Sequence, residues 1–296
     1  MLAALTVGCT RAIVAAMSSL DLFKRIGVDP DVSAAFDRIP NTLNERGYDQ
    51  WGFHPESAKV LYSLGRKVYN YFRPVVTGIE NIPSGRVLIV PNHSGQLPFD
   101  AMVTAVACLL ESNPPRAVRS MAERWFPTLP FVNMAFSRSG VVVGDPINCR
   151  NLLEAENAIL VFPEGARGSG KTWDRRYQLE RFGRGFMRLA LQTGAPIVPV
   201  SIVGAEESIV SLYDVKWLAK LLGMPYFPIP PLLPLLGPLA MVPMPTRFYL
   251  DFGAPMVFDG PFDDEDEVIE EKVDVVRARI QSMIDDRLDK RPGVFA

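Results

Sequence analysis

Short apolar runs alternate with longer amphipathic stretches along most of the chain after residue 73. In the longer stretches, such as DAMVTAVACLL and RGFMRLALQT, apolar residues recur at helical spacing. This alternation predicts an α/β fold, in which a mostly parallel sheet is flanked by helices. The predicted strands lie at residues 75–79, 87–90, 117–121, 141–143, 158–162, 196–203 and 247–252.

Residues 1–72 have a different pattern, which predicts an N-terminal helical appendage. In residues 55–72, Pro55 suits a first helical position and the apolar residues that follow recur at helical spacing. Such a helix either packs on the main domain or offers a face that docks on a membrane. The predicted organisation is a helical region, 1–72, which is a candidate for membrane docking, followed by a main domain, 73–296.

Two further segments indicate contact with a membrane. Residues 1–20 are too short and too interrupted, at Arg11, for a clean spanning helix, so they predict a helix that lies on a membrane surface or packs on the domain. Residues 221–246 contain no charged residue but eight prolines, which exclude a regular spanning helix. We expect that segment to cap an apolar tunnel, to lie shallowly in the interface, or to pack on the protein as a loop.

Composition narrows the chemistry. With a net charge of −2 over 296 residues, the chain has no global electrostatic case for nucleic acid as a partner. Its three cysteines have neither metal-ligand nor disulfide spacing. It has two histidines, His54 and His93, so a mechanism that needs an imidazole base has little freedom of choice.

The stretch FPEGARGSGKTW, residues 162–173, supports two interpretations. From Gly165 to Thr172 it matches G-x-x-x-x-G-K-T, the phosphate-binding loop of nucleotide hydrolases. That loop runs directly into a helix, whereas the helical pattern here begins only near residue 183 or 185. A second strand carrying an aspartate for Mg²⁺ is also missing, so the nucleotide hydrolase is the weaker interpretation.

A second motif follows the predicted strand VLIV, where PNHSGQLPFD leads into a helical pattern. The carboxyl end of a strand is where open α/β sheets bind ligands, and His93 lies there. A carboxylate on one ring nitrogen would fix the tautomer of a histidine that acts as a base. Asp100 either does this or simply caps the helix, and the spacing alone does not choose between the two.

Taken together, NHSGQLPFD, FPEGARG about seventy residues later, and the run up to APIVPVSIVG resemble the glycerolipid and lysophospholipid acyltransferases over about residues 73–255. The resemblance implies that His93 is the general base, that Asp100 orients it, and that Glu164 and Gly165 shape the acceptor site. It also implies that Arg167 meets an anionic head group and Pro199 lies on the acyl-donor side. Lys171 is expected to meet the head group or the phosphates of the donor. Neither a metal, a resident cofactor nor a covalent enzyme intermediate is implied; the co-substrate is acyl-CoA or acyl carrier protein.

The chain departs from the family pattern in two places. Six residues, not the usual four, separate His93 from Asp100, and Gly95 is expected to permit the longer loop. Asp145 stands near the place where the family has an arginine for the acceptor phosphate, with Arg138 and Arg150 out of register. The missing arginine weakens the case for a phosphorylated acceptor, and the pattern G-x-x-P-x-D after His93 resembles members that acylate diacylglycerol or long-chain alcohols. Against it, residues 164–188 carry seven basic and three acidic side chains, which favours an anionic ligand or surface.

The expected function is therefore an acyltransferase of phospholipid biosynthesis that moves a fatty acyl group from a thioester to a glycerolipid hydroxyl, with a lysophosphatidate-like acceptor. We expect it to associate peripherally or monotopically with the cytoplasmic side of a membrane, with membrane lipid as its partner. A neutral-lipid acyltransferase, a nucleotide hydrolase using Gly165–Thr172, and a non-catalytic lipid-binding protein are the alternatives.

Overall fold

The computed structural model describes residues 27–40, 42–123, 132–215, 217, 228–231 and 233–296. Their strands form one large sheet and a separate two-stranded hairpin. In chain order the strands are β1 (Val75–Thr77), β2 (Val87–Pro91), β3 (Arg119–Ala122), β4 (Val142–Val143), β5 (Ala158–Leu160), β6 (Ile197–Val203), β7 (Tyr213–Asp214), β8 (Pro228–Ile229) and β9 (Tyr249–Phe252).

The large sheet has seven strands in the order β1-β9-β6-β2-β5-β3-β4. Its neighbouring strands are parallel, except that β6 and β9 are antiparallel. Each of its strands lies within or overlaps a segment predicted from the apolar runs, so the predicted, mostly parallel α/β sheet is confirmed. The hairpin pairs β7 with β8 and lies outside this sheet.

Helices cover both faces of the sheet. The α-helices are α1 (Pro30–Asp37), α2 (Pro55–Phe72), α3 (Phe99–Leu110), α4 (Val132–Arg138), α5 (Pro146–Glu154), α6 (Ala166–Ser169), α7 (Gly185–Thr193), α8 (Ala205–Ser208), α9 (Leu233–Leu236) and α10 (Asp266–Lys290). Short 3₁₀ helices lie at Ile79–Asn81, Trp173–Arg175 and Gly237–Met241. Within these described residues, none of the helices is both long and apolar enough to cross a membrane.

Side chains of the central strands alternate between two cores. Val87 and Ile89 of β2 face a core shared with α1, α2 and α3, whereas Leu88 and Val90 face a core shared with α5, α7 and α10. Because both faces of β2 are covered, the strand is apolar throughout, as is typical of buried parallel strands. The sheet is thus fixed from both sides, and the loop that leaves the carboxyl end of β2 starts from a rigid base.

The N-terminal helices belong to the first of these cores. Helix α2 has the predicted bounds: Pro55 takes its first position, and Nδ1 of His54 caps it by accepting from the backbone N–H of Ser57 at 3.1 Å. Phe72 at its end is fully buried and stacks on Phe248, with ring centroids 4.1 Å apart. The helix therefore packs on the sheet, while the boundary at residue 73 stays a prediction. The segment expected to lie on a membrane, 1–20, is outside the described residues.

We predict that Phe72→Ala destabilises the fold by about 3–5 kcal/mol, because it removes a fully buried aromatic side chain and leaves a cavity beside Phe248. Chemical denaturation with the slope held constant measures the change. Phe295→Ala is the matched control, since the Phe295 side chain is 55% exposed. Equal losses from both substitutions would contradict the packing of α2 on the sheet.

Candidate active site

The loop after β2 is held by a side chain that imitates a strand. The buried amide of Asn92 donates to the carbonyl of Ile202 at 3.0 Å and accepts from the Ile202 N–H at 2.7 Å. Three residues on, Gly95 has φ of 87°, and a Cβ there would approach the carbonyl oxygen of Ala205 to 3.0 Å. A glycine is therefore required for the chain to turn back. The longer loop expected between His93 and Asp100 is built in this way.

Asp100 and His93 are in direct contact. Oδ2 of Asp100 lies 2.7 Å from Nδ1 of His93 and also accepts the Ser94 backbone N–H at 2.9 Å. Asp100 is fully buried in the first turn of α3, where the helix dipole stabilises a carboxylate. Of the two functions that the sequence left open for Asp100, the contact with His93 is formed, whereas the N-cap position of α3 is taken by Pro98. With Nδ1 held, Nε2 is the nitrogen of His93 that can meet a substrate.

The surroundings of His93 favour its protonated form. Burial opposes protonation, but Asp100 and, more weakly, Glu164 outweigh it and raise the pKa of His93 above its ordinary value, while Lys171 acts in the opposite direction. The imidazole packs against the ring of Phe162 at a centroid distance of 4.4 Å, and its side chain is 17% exposed. In its neutral form such a histidine can accept a proton, and the neighbouring carboxylates stabilise the resulting charge.

Glu164 supports the same histidine from the other side. Its Oε1 accepts the His93 backbone N–H at 2.8 Å, and its Oε2 accepts the Glu180 N–H at 2.8 Å. The side chain is buried. Glu164 was expected to shape the acceptor site; its contacts place it beneath the loop that carries His93, where it holds the backbone of that residue.

Lys171 is also buried. It is the lysine of the stretch Gly165–Thr172 that matches the phosphate-binding (Walker) loop of nucleotide hydrolases, here called the Walker-like string. Its ammonium lies 2.9 Å from Oε1 of Glu206 and 3.4 Å from Oε2 of Glu164, with 3% of the side chain exposed. The string does not lead directly into a long helix: α6 lies within it, and the next α-helix, α7, begins at Gly185. Because its lysine is paired to two carboxylates, the interpretation as a nucleotide-binding loop is wrong. The expected contact of Lys171 with a head group or donor phosphates is likewise not seen in its placement.

A cavity of about 380 Å³ opens beside His93 and extends between α2, α3 and β3. Its size is that of a small-molecule site. Besides His93, its lining is mostly apolar or small, with Glu123 as its one acidic residue and no lysine or arginine among the described residues. The lining includes Leu61, Gly65, Met102, Val106, Phe162 and Gly165.

The remaining expected site residues are placed unequally. Gly165, which was expected to shape the acceptor site, lines the cavity with φ of 58°. Arg167 is exposed on α6 and donates to the carbonyl of Arg181 at 3.3 Å. Pro199 is buried in the middle of β6, next to Gly253 and on the face away from the cavity. The structure therefore does not bring Pro199 to the cavity, and its expected role on the donor side has no support from its placement.

The expected excess of positive charge is largely neutralised within the fold. Arg175 pairs with Glu180, and three further arginines of the segment pair with acids at the start of α10: Arg181 with Glu270, and Arg184 and Arg188 with Asp266. Among the described residues, Arg167 and Arg176 keep no such ion pair. The sequence argument for an anion is weakened accordingly, because α10 supplies acids from far along the chain.

The residues near the place where the family has an arginine for the acceptor phosphate also lie away from the cavity. Asp145 caps α5 by accepting the Ile147 N–H at 2.9 Å. Arg138 stands over the Tyr48 ring, and Arg150 lies 3.8 Å from Glu154 on the same helix. Neither lines the cavity.

Sequence reasoning missed two residues that the site depends on. Gly168 lies so close to the loop that carries His93 that a Cβ on Gly168 would come within 2.8 Å of Cβ of His93 and 2.7 Å of Cβ of Glu164. Glu206, the second partner of Lys171, lies in α8, three residues after the end of β6, and its position near the carboxyl end of a central strand was the available signal. For Gly168 the only signal was its place among several glycines of one loop.

Comparison with known proteins places this geometry in a family. Residues 73–203 match the family model described as Acyltransferase. A protein of Mycobacterium tuberculosis, itself uncharacterised, is 41% identical over 254 residues, covering 83% of this chain and 71% of its own. A 1-acyl-sn-glycerol-3-phosphate acyltransferase of Borreliella burgdorferi is 30% identical over 144 residues, covering 45% and 52%. A chicken DGAT1/2-independent enzyme synthesizing storage lipids is 26% identical over 230 residues, covering 76% and 64%.

The fold has a solved counterpart. The crystal structure of PlsC from Thermotoga maritima, a 1-acyl-sn-glycerophosphate (LPA) acyltransferase, superposes with a TM-score of 0.52 at 19% identity, over 80% of this chain and 81% of that one. At this identity the likeness concerns the fold. The family model and the relatives show that this chain belongs to the Acyltransferase family and is an acyltransferase enzyme.

Proposed function

We propose that this acyltransferase moves a fatty acyl group from a thioester, acyl-CoA or acyl carrier protein, to a hydroxyl of a glycerolipid, with His93 as the general base. The observation that supports this is the bond of 2.7 Å between Asp100 and Nδ1 of His93 at the mouth of an apolar cavity. A carboxylate there keeps the proton on Nδ1 and leaves Nε2 as the acceptor.

The reaction then proceeds by direct attack. Nε2 of His93 takes the proton of the acceptor hydroxyl while the hydroxyl oxygen bonds to the thioester carbonyl carbon. The tetrahedral oxyanion collapses, the C–S bond breaks, and the imidazolium returns its proton to the leaving thiolate. The products are an ester and a free thiol. Asp100 stabilises the imidazolium between the two proton transfers, and neither a metal nor an enzyme-bound acyl group takes part.

The cavity is the proposed site of the acyl chain. An acyl chain offers only apolar surface, and transfer of that surface from water into an apolar lining is favourable by about 25 cal/mol per Å². Leu61 and Gly65 of α2 and Met102 and Val106 of α3 supply such a lining. The acyl carbonyl would then lie at the mouth, beside His93 and Gly165.

For the acceptor, the first candidate is a lysophosphatidate-like lipid, with Arg167 meeting the phosphate. Arg167 is exposed near the mouth and has no ion pair among the described residues. The second candidate is a neutral lipid, such as diacylglycerol or a long-chain alcohol. It is favoured by a lining in which the described residues include no lysine or arginine, and by the chicken storage-lipid enzyme, whose match extends over 76% of this chain.

Membrane association is part of the proposal. Between residues 212 and 244 several large apolar side chains are strongly exposed: Leu212, Tyr213, Trp217, Leu235, Leu239 and Val242. We call residues 212–244 the apolar insert; its residues 216, 218–227 and 232 lie outside the described part. Tyr71 at the end of α2 bonds the carbonyl of Pro243 at 2.6 Å, which ties the insert to the helix that lines the cavity. An exposed patch of this kind, rich in Trp and Tyr, suits a lipid surface on the cytoplasmic side.

We predict that His93→Ala abolishes acyl transfer and that Asp100→Asn lowers kcat by about 10²–10⁴-fold. His93 works as a base only when neutral, so activity falls as the pH falls through its raised pKa. Asp100→Asn removes the carboxylate that raises the pKa of His93, and the acid limb of kcat/KM moves to lower pH. Thiol release from acyl-CoA across pH 5–9 measures both effects.

The control for this experiment is His54→Asn, because asparagine keeps the helix cap and His54 is the chain's other histidine. It should leave rate and pH profile unchanged. Full acyl transfer by a folded His93→Ala protein would rule out the mechanism.

The acceptor is tested with Arg167→Gln against a panel of lysophosphatidate, glycerol-3-phosphate, other lysophospholipids and diacylglycerol. If the acceptor phosphate meets Arg167, KM for lysophosphatidate rises about tenfold, the effect of losing an exposed charge-assisted hydrogen bond. Arg279→Gln, an exposed arginine of α10, is the matched control. A wild-type preference for diacylglycerol, with no effect of Arg167→Gln, would replace the first candidate by the second.

Docking through the insert predicts that Leu235→Glu with Leu239→Glu weakens binding to phosphatidylcholine vesicles at least about tenfold, since each leucine that enters the interface contributes about 1.5–3 kcal/mol. Vesicle sedimentation measures it. The pair Ile147→Glu with Val257→Glu, 61% and 70% exposed outside the insert, is the control. Equal binding by both double variants would exclude the insert as the docking surface.

A further inference from the structure

We propose that Lys171 is a positioning residue for acyl transfer: its ammonium fixes the buried carboxylate of Glu164, which in turn holds the backbone of His93. This inference rests on the proposed role of His93 as the base. It gives the lysine of the Walker-like string a function that does not require contact with any ligand.

The first support is the environment of the ammonium. Lys171 forms ion pairs with Glu206 at 2.9 Å and with Glu164 at 3.4 Å, and its ammonium donates to the carbonyl of Gln178 at 3.2 Å. With 3% of the side chain exposed, the charge is withdrawn from solvent and from the cavity. A buried cation with such internal partners acts on those partners.

The second support is what those partners hold. Glu164 accepts the His93 N–H with Oε1 and meets Lys171 with Oε2, so the lysine and the histidine backbone share one carboxylate. Oε2 of Glu206 accepts the Tyr177 N–H at 2.6 Å, and Glu206 lies in α8, three residues after the end of β6. Lys171 therefore joins the ends of β5 and β6 beneath the loop that leaves β2.

The third support is electrostatic. The charged groups that act on His93 are Asp100 and Glu164, which raise its pKa, and Lys171, which lowers it. Glu123 lines the same cavity. Without Lys171, two buried carboxylates would act on the imidazole unopposed, and the base would be protonated over a wider range of pH.

The test uses the full chain with Lys171→Met combined with Glu206→Gln. The double variant removes one cation and one carboxylate, so the net charge of the cluster is unchanged, and Glu164 keeps its hydrogen bonds from the His93 and Glu180 N–H groups. Lys171→Met alone is the second variant. The matched control is Arg291→Met with Glu207→Gln, a neighbouring buried pair in which both contacts are 2.6 Å and which touches neither Glu164 nor His93.

Two readouts separate positioning from mere stability. Histidine NMR titration follows the pKa of His93 with His54 as an internal reference, because the chain has two histidines. Kinetics give kcat, KM and the acid limb. In the double variant we expect the pKa of His93 and the acid limb to rise together, kcat to fall about 10- to 100-fold, and KM to stay within about twofold. The control pair should leave all four unchanged.

Two results would overturn the inference. An unchanged pKa of His93 with unchanged kcat, in a folded double variant, would mean that Lys171 only fills space. A raised KM for anionic acceptors at constant kcat would mean that it binds a head group. Failure of the proposed function is recognised separately, by a wild-type activity that survives His93→Ala, and the NMR titration tests the charge effect even then.

Discussion

The contact between Asp100 and Nδ1 of His93 is the constraint on which the site depends. It joins the end of β2 to the first turn of α3, so the loop between them must reverse within six residues. Gly95 permits the reversal, and Asn92 anchors its start by bonding β6 as a strand would. The same contact decides the tautomer of the imidazole and raises its pKa, so fold and chemistry are set by one hydrogen bond.

The buried charged groups beneath His93 stabilise the loop that makes this contact. Glu164 carries the His93 backbone, but a buried carboxylate is costly unless it is paired and hydrogen-bonded. Lys171 supplies the charge, and Glu206 and the Glu180 N–H complete the set. The loop that resembles a phosphate cradle thus uses its lysine inward. This explains how the glycine-rich string can match a nucleotide motif in an enzyme of another class.

The strands and the long helices could be predicted from sequence because each rests on local pattern. The spacing left the function of Asp100 open, and the family resemblance implied its pairing with His93. Periodicity located the strands of the sheet, and Pro55 marked the start of α2. The ion pairs could not be predicted in the same way. Lys171 meets Glu206 and Arg188 meets Asp266 across tens of residues, so only the folded chain shows that most of the basic segment is neutralised. Pro199 illustrates the same limit, because the sheet face a strand residue takes depends on what packs there.

This redistribution of charge bears on the acceptor. A binding site for a phosphate monoester needs cationic donors aimed at the phosphate, and such donors are effective when they are not already neutralised by neighbours. Within the described residues, the cavity that begins at His93 has none in its lining, and Arg167 and Arg176 are the bases of the 164–188 segment that keep no ion pair. Under the proposed function, recognition of an anionic head group would fall to the rim, whereas the lining would take up apolar surface alone. Arg167 is exposed and has no ion pair among the described residues, so it is the residue that would distinguish a phosphorylated acceptor from a neutral one.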